Sequence, residues 1–125
     1  DYNQHNLMFT GKGPVIINYE HLCYGAYVDD FAKFFRKIME KQNWEKELGM
    51  DMLRAYDKVR ELSSWELQYL NLRVSYPEKF WKIVNFYYNS RKAWIPGKNL
   101  EKLERVVEQE ESKQEFLDVV LRKCL

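Results

Sequence analysis

Apolar positions along this chain fall into two regimes. Asn6–Thr10 and Val15–Asn18 are short runs of apolar residues joined by Gly11-Lys-Gly-Pro14, a pattern that predicts a β-hairpin. After a connecting loop over Glu20–Tyr27 the period changes to that of a helix. Phe31, Phe34, Phe35, Ile38 and Met39 repeat at i, i+3, i+4 and i+7, with Asp29 or Asp30 as the expected N-cap. A second helix is expected from about Trp44 to Arg60, carrying Leu48, Met52, Ala55, Tyr56 and Val59. Ser63-Ser-Trp-Glu66 has the spacing of a capping box ahead of a third helix with Leu67, Leu70 and Val74. Tyr76-Pro77 stops that helix, and Pro77 suits the first position of a fourth, running to about Arg91.

That fourth helix is apolar on more than one face, since Trp81 and Tyr88 stand off the stripe of Phe80, Ile83, Val84 and Tyr87. Such a pattern predicts a central position in a bundle, with Trp81 buried. Ile95-Pro-Gly97 separates a last helix, expected from Asn99 onward. Its stripe of Leu100, Leu103 and Val107 is interrupted by Glu108-Gln-Glu-Glu-Ser-Lys-Gln114, two turns without an apolar residue that should be solvated or bent. The fold class expected is mainly α with one short β-hairpin.

Composition sets limits on function. The 125 residues suffice for one domain, and 46% hydrophobic with 16% aromatic residues argues for an aromatic-rich core or a large interface. Net charge is +1, so no bulk field drives binding to nucleic acid or to membranes. Aromatic and basic residues do alternate between Lys79 and Trp94, but their helical spacing favours a packed core with a basic rim over a stacking surface. No apolar run reaches the roughly 20 residues that span a bilayer. Cys23 and Cys124 lack paired spacing, and His5 and His21 lack neighbours at metal spacing, so neither a disulfide framework nor a zinc site is expected. The missing initiator Met predicts a fragment of a longer protein.

The candidate chemistry lies in the first twenty residues. Asp1 is followed five positions later by Asn6, then by the hairpin, whose second strand ends in Ile17-Asn-Tyr-Glu20. This is the layout of a kinase-type phosphotransfer site. There an Asp accepts the proton of the attacking hydroxyl, an Asn holds one Mg²⁺, and a strand-end carboxylate holds another. Here the strand-end position carries Asn18, a carboxamide, and Glu20 is the carboxylate nearest to it in sequence.

Together with Gly25-Ala-Tyr-Val-Asp-Asp-Phe-Ala32, these segments resemble the C-terminal lobe of the aminoglycoside- and choline-kinase-like phosphotransferases. In that superfamily a catalytic loop H-G-D-x-x-x-x-N precedes I-D-[FW]-[ED] and then an Asp-Leu-Ala motif. The resemblance implies Asp1 as catalytic base, Asn6 and a degenerate Asn18 as metal ligands, and Asp30 of Asp30-Phe-Ala32 as the residue bracing the catalytic loop. Tyr76-Pro-Glu-Lys-Phe-Trp-Lys-Ile83, Tyr87-Tyr-Asn-Ser-Arg-Lys-Ala-Trp-Ile-Pro96 and Glu110-Glu-Ser-Lys-Gln-Glu-Phe-Leu117 look like the C-terminal region of bacterial spore-coat kinase-like proteins. On this resemblance residues 1–125 form the C-terminal lobe, with the N-terminal lobe absent. No cofactor is then expected in the fragment, while the resemblance leaves Mg²⁺ and ATP open for the full-length protein.

The leading functional expectation is a spore-coat-associated, kinase-like protein with a structural or scaffolding role. An active small-molecule phosphotransferase and a pure interaction module of the coat remain alternatives. The expected location is the cytoplasm or the spore coat. Expected partners are a second copy of the fragment and other coat proteins, with no nucleic acid and no membrane.

Overall fold

The computed structural model describes residues 4–89 and 96–121, a small hairpin followed by a helical body. A single 3₁₀ turn over Gln4–Asn6 leads into strands β1 (Leu7–Thr10) and β2 (Gly13–Ile16), which pair antiparallel with Leu7 opposite Ile16 and Thr10 opposite Gly13. The tight connection Gly11-Lys12 is possible because Gly13 adopts a φ of 112°, a region closed to most side chains. The Thr10 hydroxyl donates to the Gly13 carbonyl at 2.8 Å and closes the turn. A second 3₁₀ turn, Tyr19–His21, follows the hairpin.

Six helices come next among the described residues: α1 (Tyr27–Lys41), α2 (Lys46–Val59), α3 (Ser64–Ser75), α4 (Glu78–Asn89), α5 (Pro96–Glu108) and α6 (Glu110–Phe116), followed by a π-helical turn over Leu117–Leu121. α1 begins at Tyr27 with Ala26 as its cap, three residues earlier than the Asp29–Asp30 cap expected from the sequence. Both aspartates instead lie in the first turn, where a negative charge favours the helix dipole. α2 is capped by Glu45, whose carboxylate accepts from the Glu47 and Leu48 N–H groups. The Ser63–Glu66 capping box is present in full, and Arg60 adds an ion pair to the half of Glu66 that the box leaves free.

The core gathers around the apolar stripe of α1. Val28, Phe31, Ala32, Phe35 and Met39 bury against Leu53 of α2, Leu70 and Val74 of α3, and Phe116 and Leu117 near the C-terminus. Rings link these elements: Phe31 stacks on Tyr56 at 4.3 Å, and Phe116 tilts against Phe35 at 5.8 Å and against Trp44 at 6.0 Å. Phe34 and Ile38, on the flank of the stripe, are half-buried.

Two expectations are corrected. None of the described residues of α4 is buried, and Trp81 is 54% exposed, so α4 is a peripheral helix packed along α5 and not a central one. Apolar character on several faces reports what a helix is able to bury, not whether a partner covers it. The last helical segment starts at Pro96, where proline's missing N–H costs nothing, instead of at Asn99. The polar stretch after Val107 does break the helix: Gln109 separates α5 from α6, and its side-chain amide donates to the Glu40 carbonyl at 2.9 Å. Lys113 within that stretch is nevertheless buried. No helix among the described residues is long and apolar enough to cross a membrane.

Candidate functional site

Hairpin register decides which polar groups meet. Because Leu7 pairs with Ile16, the next position outward sets Asn6 opposite Ile17, and the Ile17 N–H donates to the Asn6 carbonyl at 2.9 Å. Asn18 follows immediately and turns the chain with φ 60° and ψ 67°, a left-handed conformation that Asn tolerates better than most residues. That turn swings its side chain back across the ladder. Its Nδ2 donates to Oδ1 of Asn6 at 3.0 Å, so carboxamides twelve residues apart meet at the open end of the hairpin. Asn6 is buried there and Asn18 is exposed.

Of the other site residues expected from sequence, Asp1 lies outside the described residues. Asp30 sits exposed on the first turn of α1 at the rim of an apolar groove of about 480 Å³, formed with Tyr27, Phe31, Phe34, Met52 and Tyr56. It makes no hydrogen bond to Asn6 or Asn18 among the described residues. Its neighbour Asp29 is the aspartate that ties elements together. Asp29 accepts from the Tyr69 hydroxyl at 3.0 Å and from Arg73 Nε at 2.8 Å, both on α3, and pairs with Lys33 Nζ at 2.7 Å. Burial pushes its carboxyl up, but the hydrogen bonds from Lys33 and Tyr69, with the charges of Lys33 and Arg73, outweigh it and hold it below the ordinary value. Burial and the same aspartate push the Tyr69 hydroxyl up. Partners 40 and 44 residues away leave no local signal in the sequence, so this cluster is a finding of the structure alone.

A magnesium ion prefers hard, charged oxygen ligands. Here the described donors are two neutral carboxamides, and the Asn6 oxygen already accepts from Asn18. Among the described residues no three His, Cys, Asp or Glu side chains converge at metal-binding distance. The described donor set therefore does not fit Mg²⁺ as it stands. What the pair does chemically is close the base of the hairpin with a single amide hydrogen bond, donated by Asn18 and accepted by Asn6.

Comparison with known proteins gives one family and two similar proteins. Residues 5–120 match the model of a family described as "Spore coat putative kinase YutH". Spore coat protein S of Bacillus subtilis (strain 168) is 28% identical over 107 residues, which is 84% of this chain and 30% of that protein. The crystal structure of an aminoglycoside phosphotransferase from Alicyclobacillus acidocaldarius superposes with a TM-score of 0.80 at 25% identity, over 95% of this chain and 35% of that one. This chain thus spans about a third of the length of these relatives.

Proposed function

Since this chain belongs to the YutH family of spore-coat kinase-like proteins and carries a phosphotransferase fold, we propose that it is the C-terminal-lobe part of a coat protein with a structural role and a degenerate metal end. The observation that carries this reading is the Asn6–Asn18 hydrogen bond. A strand-end carboxylate has no proton to donate to the Asn6 oxygen and would meet Asn6 only with that amide reversed, accepting from its NH₂ group. The carboxamide turns a position suited to a cation into one that is satisfied without one.

The lost charge is also large in energy. One unit-charge pair at 4 Å is worth about 4 kcal/mol at an effective dielectric of 20, before desolvation. A site lacking that term holds Mg·ATP weakly. Spore coat protein S is named for the coat, and a coat-associated location for this chain follows the same reading.

Calorimetry of the full-length protein with Mg·ATP tests it. The unmodified protein should bind weakly or not at all. Asn18→Asp, with the Asn6 amide reversed to donate, should tighten binding by ~10-fold or more, a fraction of the bare Coulomb gain. Tight, magnesium-dependent ATP binding by the unmodified protein would overturn the degenerate reading in favour of an active small-molecule phosphotransferase.

A further inference from the structure

Basic side chains from separate parts of the chain converge on one hollow outside the Asn6–Asn18 pair. It encloses about 400 Å³ and is walled by His5, by Lys37, Glu40 and Lys41 of α1, by Lys79 of α4 and by Arg105 of α5. That volume falls in the range of small-molecule sites, roughly 300–1,000 Å³. Four of the six lining residues are basic, three lysines and one arginine, and one is an acid.

Internal neutralisation is incomplete. Among the described residues Lys37, Lys79 and Arg105 form no ion pair within 4.0 Å. Arg105 has Glu101 and Glu108 a turn away on its own helix, and neither closes on it. The single acid on the wall, Glu40, lies 3.7 Å from Nε of the largely buried Arg36, so part of its field is spent on a guanidinium outside the hollow. Arg36 itself is committed to Glu78.

Solvated lysines on one helix face would need no explanation. Cations drawn from three helices around a concavity are different, because their mutual repulsion rises as the walls approach and is relieved by an anion placed between them. We propose that this hollow binds a small phosphate-bearing anion with two or more adjacent charges. Lysine and arginine together match that chemistry, the first as a compact charge and the second as a planar donor fork. A polycationic ligand would be repelled from it.

The test is calorimetry with inorganic pyrophosphate at low salt in metal-free buffer, where a metal-dependent nucleotide site contributes nothing. The protein should bind pyrophosphate saturably, and more tightly than citrate. Raising salt should weaken binding, as expected for phosphate held by several cations. The double reversal Lys79→Glu with Arg105→Glu should weaken binding ~10-fold or more, while Lys58→Glu on α2 should leave it within about twofold, since Lys58 is exposed, does not line the hollow, and its charge is screened by solvent and salt.

Amide chemical shifts at Lys37, Lys41, Lys79 and Arg105 should move on titration of the unmodified protein, which keeps the test valid if the reversals unfold. In that event Lys79→Gln with Arg105→Gln replaces them. No saturable binding at millimolar pyrophosphate, or an equal loss in Lys58→Glu, would sink the proposal. Citrate binding as tightly as pyrophosphate would overturn the assignment to phosphate.

Discussion

Position 18 makes two separate demands on its residue. The backbone needs a left-handed conformation, which costs a typical non-glycine residue roughly 1–2 kcal/mol and Asn less. The side chain needs a donor for the Asn6 oxygen. Asparagine answers both, and aspartate would answer only the first. Glu78 shows the opposite case, a carboxylate defined by its cations. The hydrogen bond from Arg36, aided by Lys82, outweighs burial and holds Glu78 down to about 2, against an ordinary 4.5. A folded-state value below the unfolded one means that the pairing contributes stability above pH 4.5 and loses it as pH falls toward 2. Glu78→Gln should therefore cost about 1–3 kcal/mol at neutral pH and little near pH 2. Urea unfolding followed across that range checks it. Parallel pH profiles for variant and parent would show that the ion pair contributes nothing.

Elements of this fold are held by close approaches as much as by stripes. Gly49 on α2 is buried against the ring of Phe116, and a Cβ built there would overlap Cε2 and lie 2.7 Å from Cζ. Phe116 is fully buried, with its ring tilted against both Phe35 and Trp44, so a shift of that ring would disturb both contacts. Gly49→Ala gains up to about 1 kcal/mol of helix propensity. The overpacking should exceed that, for a net loss of about 1–3 kcal/mol in thermal or urea unfolding. A stabilised Gly49→Ala variant would mean that Phe116 does not pack as described. Nothing in the sequence around Gly49 announces this contact, because its partner is 67 residues away. What was legible was local: the α1 stripe, the Ser63–Glu66 box and the break at Gln109 each depend on residues within a turn or two. What was not legible depends on distant partners. Trp44 holds a φ of 58° because its ring is buried against Phe116 and its N–H is bonded to the Met39 carbonyl, and Lys113 is buried because its ammonium reaches the Ser75 carbonyl. Burial pushes Lys113 down from its ordinary value, a cost that no helical period reveals.

At the scale of the whole molecule the same division applies to the sites. Asn6 and Asn18 were legible as a pair through the kinase-type layout of the first twenty residues and the resemblance it carries, and the hairpin register is what brings them into contact. The basic hollow was not, since its walls run from His5 to Arg105. The apolar surface tells a third story. Phe9 is 81% exposed, and Met8, Val15, Tyr19, Leu22 and Tyr27 extend the exposed apolar surface from the hairpin to the start of α1. A two-stranded sheet is marginal alone, and its unpaired edges invite further strands. Exposed patches of several hundred Å² tend to be covered by association. The 125-residue chain should therefore dimerise or associate further through this end, with a mass that rises with concentration in light scattering. Phe9→Glu with Leu22→Glu places charge on two of the most exposed of these apolar residues and should return the chain to a monomer with its helical circular dichroism unchanged. A monomer at high concentration in the unmodified chain would count against the hairpin end as an adhesive surface. Association that persists in the double variant would move the contact elsewhere, with the exposed aromatic residues of α4 as the next surface to substitute.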